Sequence, residues 1–289
     1  MEERIRDFLF ETFGQRPASF SKSDFGRVLV IGGSDRYPDS PVIAAKAALK
    51  TGVGYVAFCE DGFAHNPLPD EVIKEDYAEL FGQDDQSFAK RINKYGAIVF
   101  GNGISNDPSH REGLGRLLES FKGILVIDAT GLDALKSLGL DRLKDPSLLP
   151  YVVITPHLGE YARLFDLPYK KQDVSLFAPE EKAFADRLKI TICLKGSSLS
   201  IAEDGEESCL EVEGEDPSLA RAGTGDGLAG IIGGLAAYSD ASTSLICAAG
   251  YSLLLMASKY LERWQQSGTF AISDIIAGIP FALREFLSK

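Results

Sequence analysis

Metal-ligating and redox side chains are scarce in this chain. Its 289 residues hold three histidines, His65, His110 and His157, and four cysteines, Cys59, Cys193, Cys209 and Cys247. The histidines are scattered, so no zinc site is readable. No two cysteines form a C-x-x-C pair and three sit in apolar runs, which reads as buried free thiols in a reducing cytosol. Positive charge is short too: 30 Lys and Arg against 42 Asp and Glu leave a net charge of −12. Such a surface repels nucleic acid and anionic membranes, so neither is an expected partner. An anionic ligand must then be held by backbone amides or a few placed cations. The N-terminus, MEERIRDFLF, lacks the apolar core of a signal peptide. The one long uncharged run, ASTSLICAAGYSLLLMAS at 241–258, is rich in Ser, Thr and Gly and reads as a buried core helix rather than a membrane span. A cytoplasmic protein is expected. No G-x-x-x-x-G-K-[ST] occurs, which excludes a P-loop enzyme.

What is present is an alternation. Short β-branched runs end in glycine or a polar loop and are followed by amphipathic stretches: RVLVIGG (27–33), GYVAFCE (54–60), GAIVFGNG (96–103), GILVIDATG (123–131) and YVVITPH (151–157), with helices over 41–52 and 109–121 among those between. This pattern predicts a mostly parallel sheet covered on both faces. Residues 190–212 read instead as three strands separated by turns, with Asp204-Gly205 as a hairpin signal, so an antiparallel segment is expected at one edge. Helices over 225–237, 241–264 and 273–287 follow. With no linker, low-complexity tract or repeat, the expectation is one domain over 1–289.

In open α/β sheets, ligands bind beyond the carboxyl ends of the strands. The groups placed there are Gly32, Gly33 and Ser34; Gly101, Asn102 and Gly103; Asp128 and Thr130; Thr155, His157 and Glu160; and Lys195 with Gly196. A further glycine-rich stretch, LARAGTGDGLAGIIGGLAA at 219–237, contains a G-x-G-x-x-G match at Gly225–Gly230. A dinucleotide fingerprint must follow an apolar strand, and GEDPSLARA is not one. Leu228, Ile231, Ile232 and Leu235 instead predict a helix from about Asp226. Gly223, Thr224 and Gly225 then form the turn leading into it, and their amides make an anion hole. Asp226 opposes a bound anion. It suits a general base that takes a proton from a hydroxyl attacking a phosphoryl group, or equally a first-turn helix-stabilising carboxylate. Lys195 reads as a strand-end surface lysine or as a cation for nucleotide phosphate. Glu160 reads as a helix cap or as a holder of metal-bound water, His157 as a satisfied loop histidine or a site residue, and Asp128 as a carboxylate holding loop amides.

Four segments together resemble one family. They are VLVIGGSDRYPDSPVIAAKAALKTGVGYV, ITPHLGEYARLF, CLKGSSLSIAEDGE and ARAGTGDGLAGIIGGLAA, in that order over about residues 25–285. The second is similar to a T-P-H-x-G-E-x-x-R-L signature and the fourth to G-T-G-D-x-L-A-G-I-I. The family is the ADP/ATP-dependent NAD(P)H-hydrate dehydratases, within the ribokinase-like superfold. The resemblance implies a three-layer α/β/α sandwich with a mostly parallel central sheet and an antiparallel edge. Residues 1–24 would be an N-terminal helical extension, too short for the epimerase domain often fused there.

The implied reaction is coenzyme repair. The enzyme phosphorylates the aberrant ring hydroxyl of hydrated NADH or NADPH from ADP (ATP in eukaryotic members), and phosphate is then eliminated. The resemblance implies that Asp226 is the base; that Gly223, Thr224 and Gly225 form the anion hole; and that Lys195, Gly196 and Gly225 bind the donor nucleotide. Gly33, Ser34, Tyr37, Gly103, His157 and Asp226 would bind the substrate, and Glu160 a magnesium ion through water. It also implies a homo-oligomer. The chain departs from the family at several loops. Y-x-G-A-P reads Tyr37-Pro-Asp39-Ser40-Pro41, G-P-G-L-G reads Gly101-Asn-Gly103-Ile-Ser105, and D-A-D-A-L-N reads Asp128-Ala-Thr130-Gly-Leu-Asp133. N-P-G-M-A-T-G-G reads Asp216-Pro-Ser218-Leu-Ala-Arg221-Ala222-Gly223. Two other readings use the same hole and base or the same loops: a small-molecule kinase of this superfold, and a nucleotide-binding protein without catalysis.

Overall fold

The computed structural model describes residues 3–14, 17, 19–60, 68–145, 147–148, 150–168, 174–214 and 216–288. His65 lies outside them. The strands are β1 (Arg27–Gly32), β2 (Tyr55–Glu60), β3 (Ile73–Asp76), β4 (Ala97–Phe100), β5 (Ile124–Ile127), β6 (Tyr151–Ile154), β7 (Thr191–Lys195), β8 (Leu199–Glu203) and β9 (Leu210–Val212). They form one sheet in the order β3-β2-β1-β4-β5-β6-β7-β8-β9. Pairing is parallel up to β7 and antiparallel from β7 through β9. The central strands AIVF, ILVI and YVVI are apolar without alternation because both faces are covered.

The helices are α1 (Glu3–Phe13), α2 (Ser40–Leu49), α3 (Tyr77–Phe81), α4 (Asp85–Ile92), α5 (Pro108–Ser120), α6 (Thr130–Leu138), α7 (Leu158–Leu164), α8 (Ala178–Leu188), α9 (Thr224–Ala236), α10 (Thr243–Leu261) and α11 (Ile272–Leu287). One core packs α1, α2, α9, α10 and α11 against one face, through Ile5, Val42, Leu228, Ile246 and Ile275. A second core packs α3 to α8 on the other face, through Tyr77, Phe88, Leu114, Leu132, Tyr161 and Ala185. The expected three layers and antiparallel edge are thus present. The uncharged run at 241–258 falls largely in α10, which is mostly buried within the first core. Among the described residues the cysteines form no disulfide: Cys59, Cys193 and Cys247 are buried, and Cys209 is half-buried.

Three local expectations are corrected. The strands end earlier than read: β5 stops at Ile127, and residues 130–131 already belong to α6. The edge strand β3, IKED, was not expected, because a charged and largely exposed strand carries no apolar run. Helix α9 begins at Thr224, not near Asp226, because Gly223 alone makes the turn, with φ +87°. That left-handed backbone suits glycine.

Helix α9 lies so close to α2 that a Cβ on Gly230 would run into the Ala44 carbonyl. Backbone cannot move aside cheaply in a packed interface. Gly230→Ala is expected to destabilise the protein by roughly 3 kcal/mol despite the better helix propensity of alanine. A urea midpoint equal to or above that of the parent would contradict this packing.

Candidate functional site

The register of the parallel strands lines up their carboxyl ends. Ile31 faces Phe100, Phe100 faces Ile127, and Ile127 faces Ile154. The residues just beyond are Gly101 with Asn102, Asp128, and Thr155. The sheet order reverses at β1, whose neighbours are β2 and β4. Ligands of such sheets bind in the crevice this switch opens.

Asp128 is the hub of that edge. It is 2% exposed. Its Oδ1 accepts from the Thr155 hydroxyl at 2.7 Å and from Lys195 Nζ at 2.7 Å. Its Oδ2 accepts from Asn102 Nδ2 at 3.0 Å. The expectation that Asp128 holds loop amides is therefore corrected: it gathers three side chains from three strand ends. Lys195 is correspondingly no surface lysine. Burial opposes its charge, but Asp128 and Glu160 outweigh that and hold its pKa above the usual value.

Asp226 sits in the first turn of α9. Its Oδ1 accepts from Asn102 Nδ2 at 2.7 Å, so one amide bridges two carboxylates. Burial and then the Asp128 charge push the Asp226 carboxyl up to about 7, against the pull of Asn102, Lys195 and Ser40. The first intrahelical bond runs from Gly227 N–H to Gly223 carbonyl, and Thr224 N–H makes only a long 3.4 Å bond to Arg221. The N–H groups of Gly225 and Asp226 carry no backbone partner, as a helix start requires. Lys195 Nζ stands 2.9 Å from where a Cβ on Gly225 would lie, so cation and free amides share one spot. Thr224 Oγ1 is buried there without a protein partner.

A cleft of about 620 Å³ opens on one side of this helix start. Its polar lining includes Lys195, Gly196, His157, Thr224 and Gly225; its apolar lining includes Leu199, Leu219, Leu228 and Tyr251. Arg221 lines it too, bonded to the Ser218 and Phe270 carbonyls and lying over the Phe270 ring. A second, separate group of loops meets at Asn102 and Gly103. Gly33 N–H donates to the Asn102 carbonyl at 2.9 Å, and Ser34 Oγ donates to the Gly103 carbonyl at 2.7 Å. Tyr37, half exposed, packs over Gly103.

His157 and Glu160 form a reciprocal cap on α7. His157 Nδ1 accepts from the Gly159 and Glu160 amides, and Glu160 Oε2 accepts from His157 N–H. Burial, and then Lys195, lower the His157 pKa, so the ring is neutral at pH 7. Burial raises the Glu160 pKa, opposed chiefly by Lys195.

The structure thus brings Thr224, Gly225, Lys195, Gly196 and His157 to one cleft, and Gly33, Ser34, Tyr37 and Gly103 to a separate group of loops; Gly223 makes the turn into α9 against Ile43 and Ile272 and is not in the cleft lining. His157 therefore lines the cleft with Lys195 and Gly225, apart from the loops of Ser34, Tyr37 and Gly103 with which it was grouped. Glu160 is part of the cap and lies behind the cleft wall. The site reading left out Ser40, the hub role of Asp128 and the apolar cleft wall. A polar residue directly after AIVF, between two glycines, was the available signal for Asn102.

A family model described as NAD(P)H-hydrate dehydratase matches residues 28–277. The chain is 31% identical over 249 residues to an ADP-dependent (S)-NAD(P)H-hydrate dehydratase of Enterococcus faecalis, covering 85% of this chain and 81% of that one. It is 29% identical over 280 residues to a bifunctional NAD(P)H-hydrate repair enzyme of Methanopyrus kandleri, covering 96% of this chain and 53% of that protein. The chain spans about half the length of such bifunctional relatives. A solved ribokinase-like superfamily protein from Enterococcus faecalis superposes with a TM-score of 0.80 at 26% identity, covering 97% of this chain and 94% of that one. The fold is therefore ribokinase-like.

Proposed function

The chain belongs to the NAD(P)H-hydrate dehydratase family, and on that premise we propose that it restores NAD(P)H from its (S)-hydrate at the expense of ADP or ATP. The observation that carries this reading is the buried Asp226 carboxylate, with a pKa of about 7, in the first turn of the helix whose Thr224 and Gly225 line the Lys195 cleft. The cleft suits a nucleotide: apolar walls for a base, and Lys195 with two free amides for phosphates. The hydrated nicotinamide would enter from the Ser34, Tyr37 and Gly103 side.

Ionised Asp226 takes the proton of the ring hydroxyl as that oxygen attacks the terminal phosphorus of the donor. The bond from phosphorus to the leaving nucleotide oxygen breaks. The Gly225 and Asp226 amides and the Thr224 hydroxyl meet the charge spread over the transferring group. The ring nitrogen lone pair then expels phosphate, and the adjacent carbon loses a proton to regenerate the double bond.

Magnesium fits this site in a limited way. Among the described residues no three ligating side chains cluster into a cage. Magnesium needs none, because it keeps waters and binds through few carboxylates plus substrate phosphates. Glu160, the residue expected to hold it through water, does not fit that role: it caps α7, is not in the cleft lining, and burial raises its carboxyl toward the neutral form. When bound, the ion supplies charge neutralisation at the donor phosphates.

The expected result with hydrated NADH, ADP and magnesium is recovery of reduced-nicotinamide absorbance without a lasting phosphoester. A stable phosphorylated product would indicate a hydroxyl kinase instead. Nucleotide binding by calorimetry with no turnover would indicate a non-catalytic relative.

A further inference from the structure

Two polar side chains from different elements bear on one carboxylate, that of Asp226: Asn102 and Ser40. Asn102 is completely buried. It spends both amide protons on carboxylates, 2.7 Å to Asp226 and 3.0 Å to Asp128. Its own carbonyl oxygen is left buried without a partner. An orphaned buried acceptor is costly, and an apolar residue of this size would avoid that cost. The amide orientation is therefore dictated by the two carboxylates, not by packing. Ser40, at the start of α2, also bears on Asp226 and lowers its pKa.

We propose that Asn102 is a positioning residue, which holds the Asp226 carboxylate and ties it to the Asp128–Lys195 ion pair. This rests on the reading of Asp226 as the base. Asn102 need not touch substrate for this role.

The arrangement also sets proton affinity. The charged groups bearing on Asp226 are Asp128, at the end of β5, and Lys195, at the end of β7. Burial and Asp128 raise its pKa, while Asn102, Lys195 and Ser40 lower it. Donors to the charged form are what keep a carboxylate in so dry a place usable as a base at neutral pH. Lys195 is also the cation nearest the free amides, so a donor phosphate that draws it from Asp128 would strengthen the base at the moment of use.

The test is a carbon-13 carboxyl NMR titration of Asp226 in the free enzyme, its signal assigned by its loss in Asp226→Asn. Asn102→Ala is expected to move the midpoint upward by about one pH unit or more, and Ser40→Ala by less. The acid limb of kcat should move with it. An unchanged or lowered midpoint in Asn102→Ala would overturn the proposal. If that variant does not fold, Asn102→Ser, too short to reach both carboxylates, decides in its place. A midpoint that rises while the acid limb stays put would leave the positioning intact and remove Asp226 as the base.

Discussion

Asp226→Asn is expected to lower kcat by about 10²–10⁴-fold while leaving the chain folded and, above neutral pH, more stable than the parent. The first effect follows from losing the base. Asparagine still accepts from Asn102, so the helix start and the cleft remain. The second effect follows from burial. The native carboxyl titrates at about 7 against an ordinary value of 3.8. Between those pH values the unfolded chain binds fewer protons than the native one. Stability therefore falls as pH rises through that window and stays lowered above it. Asparagine has no such dependence. The melting-temperature advantage of the variant should grow from about pH 4 to about pH 7 and then level off. A variant that melts lower at pH 8, or one that keeps its turnover, would contradict the role assigned to this carboxylate.

Lys195→Met is expected to produce the other large effect, in two separable parts. Asp128 is 2% exposed and would keep its Thr155 and Asn102 bonds but lose its countercharge. Breaking a buried pair in this way costs roughly 3 kcal/mol or more, because the remaining charge is stranded. Adding Asp128→Asn should return most of that stability by removing the stranded charge. It should not return donor affinity, since the cation in the amide-lined cleft is still missing. The donor KM should stay raised at least about tenfold in the double variant. Urea midpoints and donor KM values for the single and double variants check both parts. If the KM recovers along with stability, Lys195 serves only the fold.

The glycine-rich stretch at 219–237 shows how far the sequence could be read. The apolar spacing of Leu228, Ile231, Ile232 and Leu235 located α9, and the missing upstream strand ruled out a dinucleotide fingerprint. The start of the helix was two residues off, because a single left-handed glycine sufficed where a three-residue turn was expected. The central strands were legible because burial on both faces leaves a continuous apolar run. Strand β3 was not, since its IKED sequence lies on an exposed edge. Asp226 could be singled out locally, as an acid at an anion-binding turn. Its partners could not, because Asn102 is 124 positions away and meets it only through the switch in sheet order. The role of Asp128 was misread for the same reason. A strand-end aspartate with free loop amides nearby looks identical in sequence to one that collects side chains from neighbouring strands.

The central claim is that phosphoryl transfer to the ring hydroxyl precedes its loss. Hydrated NADH carrying oxygen-18 in that hydroxyl, turned over with ADP and magnesium, tests it directly. The expected result is one oxygen-18 in each phosphate released, with reduced coenzyme formed in equal amount. Label recovered in water, with unlabelled phosphate, would contradict it.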